Sequence, residues 1–333
     1  MFKKLLIPIL LAAGMLILLA GCSQGAEEEK TKVRLVEVTR SIFYAPQYVA
    51  LSQGFFEEEG LEVELSTAWG GDKTMTVLLS DGADIALVGS ETSIYVYQQG
   101  SEDLVINFAQ LTQTDGTFLV SREKIENFTW EDLKGKVFLG QRKGGMPQMV
   151  GEYVLKKHGL NPHNDLEMIQ NVDYANIPNA FASGTGQFVQ LFEPQATLFE
   201  REGIGYVVAS FGVESGNVPY TSYMAKESYI QSHPEVIQRF TNALYKAQKW
   251  VYEQPSEETA RAIAPFFEDT DMDLLVGAID RYKTQRSYKE DPLLEKEQWD
   301  HLQNIIEEAG ELKERVDYEL LVDTTFARKA LEQ

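Results

Sequence analysis

The 333-residue chain has one cysteine, Cys22, and four histidines. A single thiol can form neither an internal disulfide nor a thiolate metal cluster. His158, His163, His233 and His301 fall in no HExxH or similar metal-ligand spacing; the first two flank a Gly159/Pro162 turn, His233 precedes a helix at Pro234, and a surface position is expected for each of the four. Nucleophile and phosphate motifs are also missing: GSETS (89–93) is not GxSxG, no GxxxxGK[ST] loop occurs, and GTGQF (184–188) reads as a turn before a strand. Positive charge is scarce, with 30 Lys and Arg against 51 Asp and Glu, a formal charge of −21. Such a surface repels nucleic acid and anionic lipid and favours solubility. These absences argue against an enzyme, a resident metal or cofactor, and a nucleic-acid partner.

Long apolar runs are equally scarce. Leu5–Ala20 is uncharged for sixteen residues, interrupted by Pro8 and Gly14, whereas a spanning helix needs about 18 or more. Preceded by Lys3 and Lys4, it has the plan of a secretory signal peptide. It ends in Leu19-Ala20-Gly21-Cys22, which resembles the bacterial lipobox. The resemblance implies a leader over 1–21 and a lipidated Cys22 as the first mature residue, on the extracytoplasmic face of the cell membrane. One acyl chain anchors only marginally, so two or three are expected. Residues 22–32, small and charged, form a flexible tether.

The 312 residues after position 21 are enough for two lobes with separate cores. KVRLVEV (32–38), LEVELS (61–66), DIALVG (84–89) and LVINFAQL (104–111) read as strands, separated by helical segments that start at Pro46, Asp72 and Glu91. The alternation restarts after FLVSREKI (118–125), with strands at KVFLG, DLEMIQ, QFVQLF and GYVVAS. Strands and helices of these lengths predict mainly parallel sheets flanked by helices. Beyond about residue 225, four amphipathic helices are predicted: 234–254, 256–267, 271–285 and 294–310. They are expected to pack back on the first lobe.

The segments FYAPQYVALSQGFFEEEGLEVEL (43–65), GADIALVGSET (82–92), LKGKVFLGQRKGGMPQ (133–148), LFEPQATLFEREG (191–203) and SHPEVIQRFTNALYKAQKWV (232–251) together resemble type II periplasmic solute-binding proteins. Within these they resemble the nitrate/sulfonate/thiamine-pyrimidine (SsuA/THI5-like) branch. The resemblance implies an α/β fold of two lobes, 33–116 with 222–333 and 117–221, joined by a two-strand hinge. It implies a monomer that hands a small solute to the permease and ATPase of an ABC importer. A eukaryotic pyrimidine synthase of this fold uses histidine and cysteine chemistry, but a lipidated Cys22 would leave no free thiol here.

Ligands of open α/β sheets bind beyond the carboxyl ends of the strands. The loops expected there carry Phe43, Tyr44, Trp69, Tyr174 and Tyr220, with Phe43, Tyr44, Trp69 and Tyr220 as stacking candidates. Gly89-Ser90 and Gly144-Gly145 are candidate backbone donors. Gly82 and Gly184 each precede a strand, and nine residues after each stands a glutamate, Glu91 and Glu193. Each is either a ligand contact or a carboxylate favoured near a helix start. Glu91, Asp115 and Glu193 are the hydrogen-bonding candidates; Arg40, Lys73, Arg142 and Lys143 are the basic side chains nearby. Aromatic faces with carboxylates suit a flat heteroaromatic carrying amino groups, such as a thiamine pyrimidine precursor. Alkanesulfonate, taurine or nitrate remains the alternative in the same fold, as does a sensory lipoprotein that transports nothing.

Overall fold

The computed structural model describes residues 30–332; the leader, Cys22 and most of the tether lie outside them. Ten strands form two five-stranded sheets. The first contains β1 (Thr31–Glu37), β2 (Leu61–Thr67), β3 (Ile85–Gly89), β4 (Val105–Thr112) and β10 (Thr221–Lys226), in the order β2-β1-β3-β10-β4. The second contains β5 (Thr117–Ser121), β6 (Val137–Leu139), β7 (Glu167–Ile169), β8 (Phe188–Phe192) and β9 (Tyr206–Ser210), in the order β7-β6-β8-β5-β9. The two orders are equivalent. In each sheet one strand, β10 or β5, runs antiparallel to both its neighbours, and the others run parallel to one another.

Burial follows position in the sheet. The edge strand β2, LEVELST, alternates exposed and less exposed residues, whereas β3, flanked on both sides, is the nearly continuous apolar run IALVG. β4 ends its sheet yet is buried throughout, because later chain covers it. The Gln110 N–H donates to Pro292 C=O at 2.8 Å, Lys289 N–H to Leu111 C=O at 2.9 Å, and Asp323 N–H to Asn107 C=O at 3.0 Å. An open strand edge is thereby closed. Its buried amide nitrogens find partners, though their oxygens do not: Asn107 donates to Ser93 Oγ (2.9 Å) and Leu321 C=O (3.0 Å), and Gln110 to Gln298 Oε1 (3.0 Å).

The chain passes between the sheets at 113–116 and returns at 211–220. The crossings are tied together: Val218 N–H donates to Gln113 C=O at 2.9 Å, and the hydroxyls of Thr112 and Thr221 lie 2.6 Å apart.

Three expectations need correction. The segment after Pro46 is two helices, Ala45–Ser52 and Phe55–Glu58, because Gly54 takes a left-handed conformation (φ 76°) between them. Thr221–Tyr223, expected in the same strand-end loop as Tyr220, instead open the strand β10 (TSYMAK, 221–226). The late helices return to the first lobe but do not stop there. Pro234–Glu253 and Ser256–Ile263 pack on Ala45–Ser52, but Met272–Thr284 also packs on the second-lobe helix Gln195–Glu202, and Lys296–Glu308 on Met146–Lys157. Tyr282 shows why: its hydroxyl donates to Gly116 C=O at 2.9 Å and accepts the Glu193 N–H at 3.1 Å, so the helix bearing it is held at the crossing.

Candidate functional site

Loops after β1, β2 and β3 of the first sheet meet loops after β6, β7 and β8 of the second, with the crossing segments beside them. The cleft between them has a buried inner part and an open outer part.

Ser41 builds the first inner wall. Its Oγ accepts the Phe43 N–H at 3.2 Å and starts the 3-10 turn Ile42–Tyr44; Pro46 then opens the following helix. The turn buries Phe43 and Tyr44. The Phe43 ring lies 5.5 Å from Tyr220, edge-on, 5.1 Å from Tyr282, and 6.0 Å from both Tyr44 and Phe192. A side chain at Gly116 would strike Phe43 and Phe192, with a Cβ only 2.9 to 3.0 Å from their ring atoms.

Asp115 sits in the first crossing and is fully buried. Its Oδ1 accepts the Thr117 N–H at 2.6 Å and the Thr117 hydroxyl, while Oδ2 has no partner. Burial pushes its pKa to about 6 even though Thr117 opposes the shift. The neighbouring Tyr220 hydroxyl is also without a well-directed partner; burial, then the Asp115 charge, raise its pKa far above the usual value.

Glu91 opens the helix Glu91–Gln98. Its side chain curls back over Gly89, where any Cβ would collide with the carboxylate oxygens. Glycine at 89 is therefore a requirement of the Glu91 conformation. Burial pushes the Glu91 pKa to about 8, opposed by its own N–H and, from across the cleft, by the N–H of Met146 at the head of Met146–Lys157. Oε2 has no partner. Glu91 and Asp115 both act on the Tyr220 hydroxyl, Asp115 from hydrogen-bonding range, so three oxygens without a well-directed hydrogen bond, Glu91 Oε2, Asp115 Oδ2 and Tyr220 Oη, share one buried neighbourhood. Leaving such atoms unpaired costs about 1–3 kcal/mol each, which a ligand with matching groups would recover.

The outer part is a cavity of about 340 Å³ whose lining includes Arg40, Trp69, Gln141, Tyr174, Phe192 and Glu193. Phe192 links it to the inner part, 6.0 Å from Phe43 and 5.8 Å from Tyr174. Trp69 is at the mouth, 61% exposed, with φ 60°, a backbone conformation unusual for a bulky residue. Glu193 lines this cavity with its carboxylate already engaged. Oε2 accepts the Thr197 N–H at 3.0 Å, Oε1 accepts the Thr197 hydroxyl at 2.9 Å, and Arg281 Nη1 lies 3.0 Å from Oε1 as an ion pair without a directed hydrogen bond. Of the two roles its sequence position allowed, the geometry displays the helix-start carboxylate.

The backbone candidates divide similarly. Gly144 N–H is taken by Gln148 Oε1 at 3.0 Å, a partner the sequence expectation did not include. Gly145 precedes Met146 at the helix start, and Ser90 is buried with its hydroxyl 2.7 Å from that of Ser222. Lys73, Arg142 and Lys143 are exposed. The histidines stand elsewhere: His158 against Glu214 and Trp130, His163 against Glu152, His233 against Tyr229, and His301 against Ser215 C=O. Tyr282 and Arg281 escaped the sequence reading, since nothing in a late amphipathic helix marks which of its polar residues reaches the hinge.

Two sheets of equivalent strand order, exchanging one antiparallel strand each across a double crossing and facing a shared cleft, define the two-lobed fold of periplasmic solute-binding proteins. Residues 26–267 match the model of the NMT1-like family, and the chain belongs to that family. Over 315 residues it is 61% identical to the Bacillus subtilis protein YtlA, which is named as a binding protein; the match covers 95% of this chain and 94% of YtlA. It is 25% identical over 260 residues to the 4-amino-5-hydroxymethyl-2-methylpyrimidine phosphate synthase of Aspergillus parasiticus, covering 74% of this chain and 72% of the synthase. Among solved structures, the alkanesulfonate-binding protein SsuA of Xanthomonas axonopodis pv. citri, bound to MOPS, superposes with a TM-score of 0.70 at 16% identity, over 89% of this chain and 99% of SsuA. At that identity the likeness is one of fold.

Proposed function

We propose that the chain is an extracytoplasmic solute-binding lipoprotein of an ABC importer, and that it captures a small heteroaromatic solute carrying N–H donors, such as a pyrimidine precursor of thiamine. In this reading Cys22 bears the lipid anchor, 33–116 with 222–333 and 117–221 are the lobes, and the crossing strands are the hinge. Contacts made only between closed lobes would then shift the open–closed equilibrium.

One observation carries the choice of solute. The buried end of the cleft offers the free carboxyl oxygens of Glu91 and Asp115 beside Phe43, Tyr44 and Tyr220. Above about pH 6 Asp115 is a carboxylate that accepts hydrogen bonds, Glu91, protonated up to about pH 8, still accepts through its carbonyl oxygen, and a flat amino-substituted ring both supplies donors and stacks on aromatic faces. A sulfonate or nitrate entering that end would face the Asp115 charge. The Aspergillus relative, named for a pyrimidine, agrees with this choice, whereas a Bacillus subtilis relative 22% identical over 332 residues is named for aliphatic sulfonates.

Calorimetric titration and thermal shift of the purified protein with aminopyrimidines, alkanesulfonates, taurine and nitrate test the reading. A ligand at a hundred times its Kd adds about 2.7 kcal/mol. A stabilising aminopyrimidine with silent anions is the expected result. Stabilisation by sulfonates alone would mean that the two carboxyl groups face something other than the ligand.

A further inference from the structure

We propose that the solute also carries an acidic substituent, and that Arg40 binds it at the mouth of the cleft. The inference rests on the heteroaromatic reading above and adds a second recognition point to it.

The starting point is Glu37 at the end of β1, a fully buried carboxylate. Its four hydrogen bonds come from four side chains: Arg40 Nε (2.8 Å) and the Thr67 hydroxyl (2.8 Å) on Oε1, Gln47 Nε2 (2.7 Å) and the Tyr48 hydroxyl (2.7 Å) on Oε2. The carboxylate is thus saturated while using only one of the five N–H groups of the guanidinium. Arg40 also lies against the rings of Tyr48 (5.5 Å) and Phe266 (5.7 Å). Ion pair and stacking together hold the side chain in place.

What remains is the outer edge. Among the described residues, Nη1 and Nη2 of Arg40 make no well-directed hydrogen bond to a protein atom, with the Tyr48 hydroxyl the nearest side-chain acceptor beyond Glu37; the side chain is 32% exposed and lines the 340 Å³ cavity. Arg281 differs in charge pairing: its Nη1 lies 3.0 Å from Glu193 and its Nη2 2.7 Å from Glu200, although Nη1 makes no directed hydrogen bond. Glu193, the other charged side chain lining this cavity, has its oxygens occupied by Thr197 and Arg281. The outer compartment therefore offers a fixed, two-pronged donor whose one neighbouring carboxylate is already engaged, the geometry that suits a carboxylate, phosphate or sulfonate group. Donors at the mouth and acceptors at the buried end make the cleft polar in one direction, and a solute with an amino-bearing ring and an acidic tail matches both ends.

A matched pair of probes separates the two ends: 4-aminopyrimidin-5-ylacetate and its primary amide, titrated calorimetrically into the full-length protein. The acid is expected to bind at least tenfold tighter than the amide. In Arg40→Gln the two affinities should converge, with the amide within about twofold of its wild-type value. Arg40→Lys, which keeps a cation against Glu37, provides the test should Arg40→Gln fail to fold; it should cut the preference at least threefold. Equal binding of both probes by the wild type, or a preference unchanged in either variant, would overturn the Arg40 assignment while leaving the aromatic reading standing. Binding of neither probe by the wild type would refute the aromatic reading and this inference with it.

Discussion

Glu91 makes the stability of the ligand-free protein depend on pH in a direction opposite to that of an ordinary paired carboxylate. Burial raises its pKa from 4.5 to about 8. Below about pH 4.5 the carboxyl is protonated in folded and unfolded chains alike, and no penalty arises. Between about 4.5 and 8 the unfolded chain releases its proton and the folded chain keeps it, so stability falls as pH rises. Across pH 5 to 7.5 the loss comes to about 3 kcal/mol. With an unfolding entropy of about 2.1 cal/mol/K per residue, this is about 5 °C in Tm. Glu91→Gln replaces the protonated carboxyl with a neutral group of the same shape. The variant is expected to melt about 5 °C above the wild type at pH 7.5 and within about 2 °C of it at pH 5, measured by calorimetry without ligand. Saturating the wild type with a ligand that donates to Glu91 should flatten its own pH dependence. A Tm difference that is the same at both pH values, or a variant less stable at pH 7.5, would refute the account by showing that the folded protein ionises Glu91 without cost.

Tyr282→Phe removes the hydroxyl shared by Gly116 C=O and Glu193 N–H. It should cost about 1–3 kcal/mol in denaturant unfolding through the two backbone groups left unpaired; an unchanged midpoint would mean that water replaces the hydroxyl freely. Cys22→Ser, motivated by the lipobox resemblance, should abolish metabolic labelling with palmitate and release the protein from membranes. Labelling that persists would sink the anchor.

How far the sequence can be read depends on where a residue's partners come from. Strand β2 alternates because only one face is covered, and β3 is continuously apolar because both faces are; each is legible within seven residues of chain. β10 is not. Thr221-Ser222 follow Pro219 and read as loop, yet both are buried in the middle of a sheet, because Thr221 meets the Thr112 hydroxyl at 2.6 Å and Ser222 meets Ser90 at 2.7 Å. Partners more than a hundred residues away make a polar segment fit a core, and no local pattern announces them. The two glutamates make the same point about the site. They occupy equivalent places, one after β3 and one after β8, and the nine-residue spacing from Gly82 and Gly184 reveals that much. Their fates diverge at the fourth residue onward, where Thr197 supplies Glu193 with two donors and Tyr95 follows Glu91. That difference was present in the sequence as ExxxT against ExxxY. The decisive cation, Arg281, arrives from a helix beginning at Met272. Without it Glu193 would keep its two Thr197 donors but its buried charge would lose the counter-ion at 3.0 Å. The asymmetry that leaves one carboxyl group free for a ligand thus has a local part, Thr197, and a distant part, the late helices reaching across both lobes, and only the second is beyond what local periodicity can express.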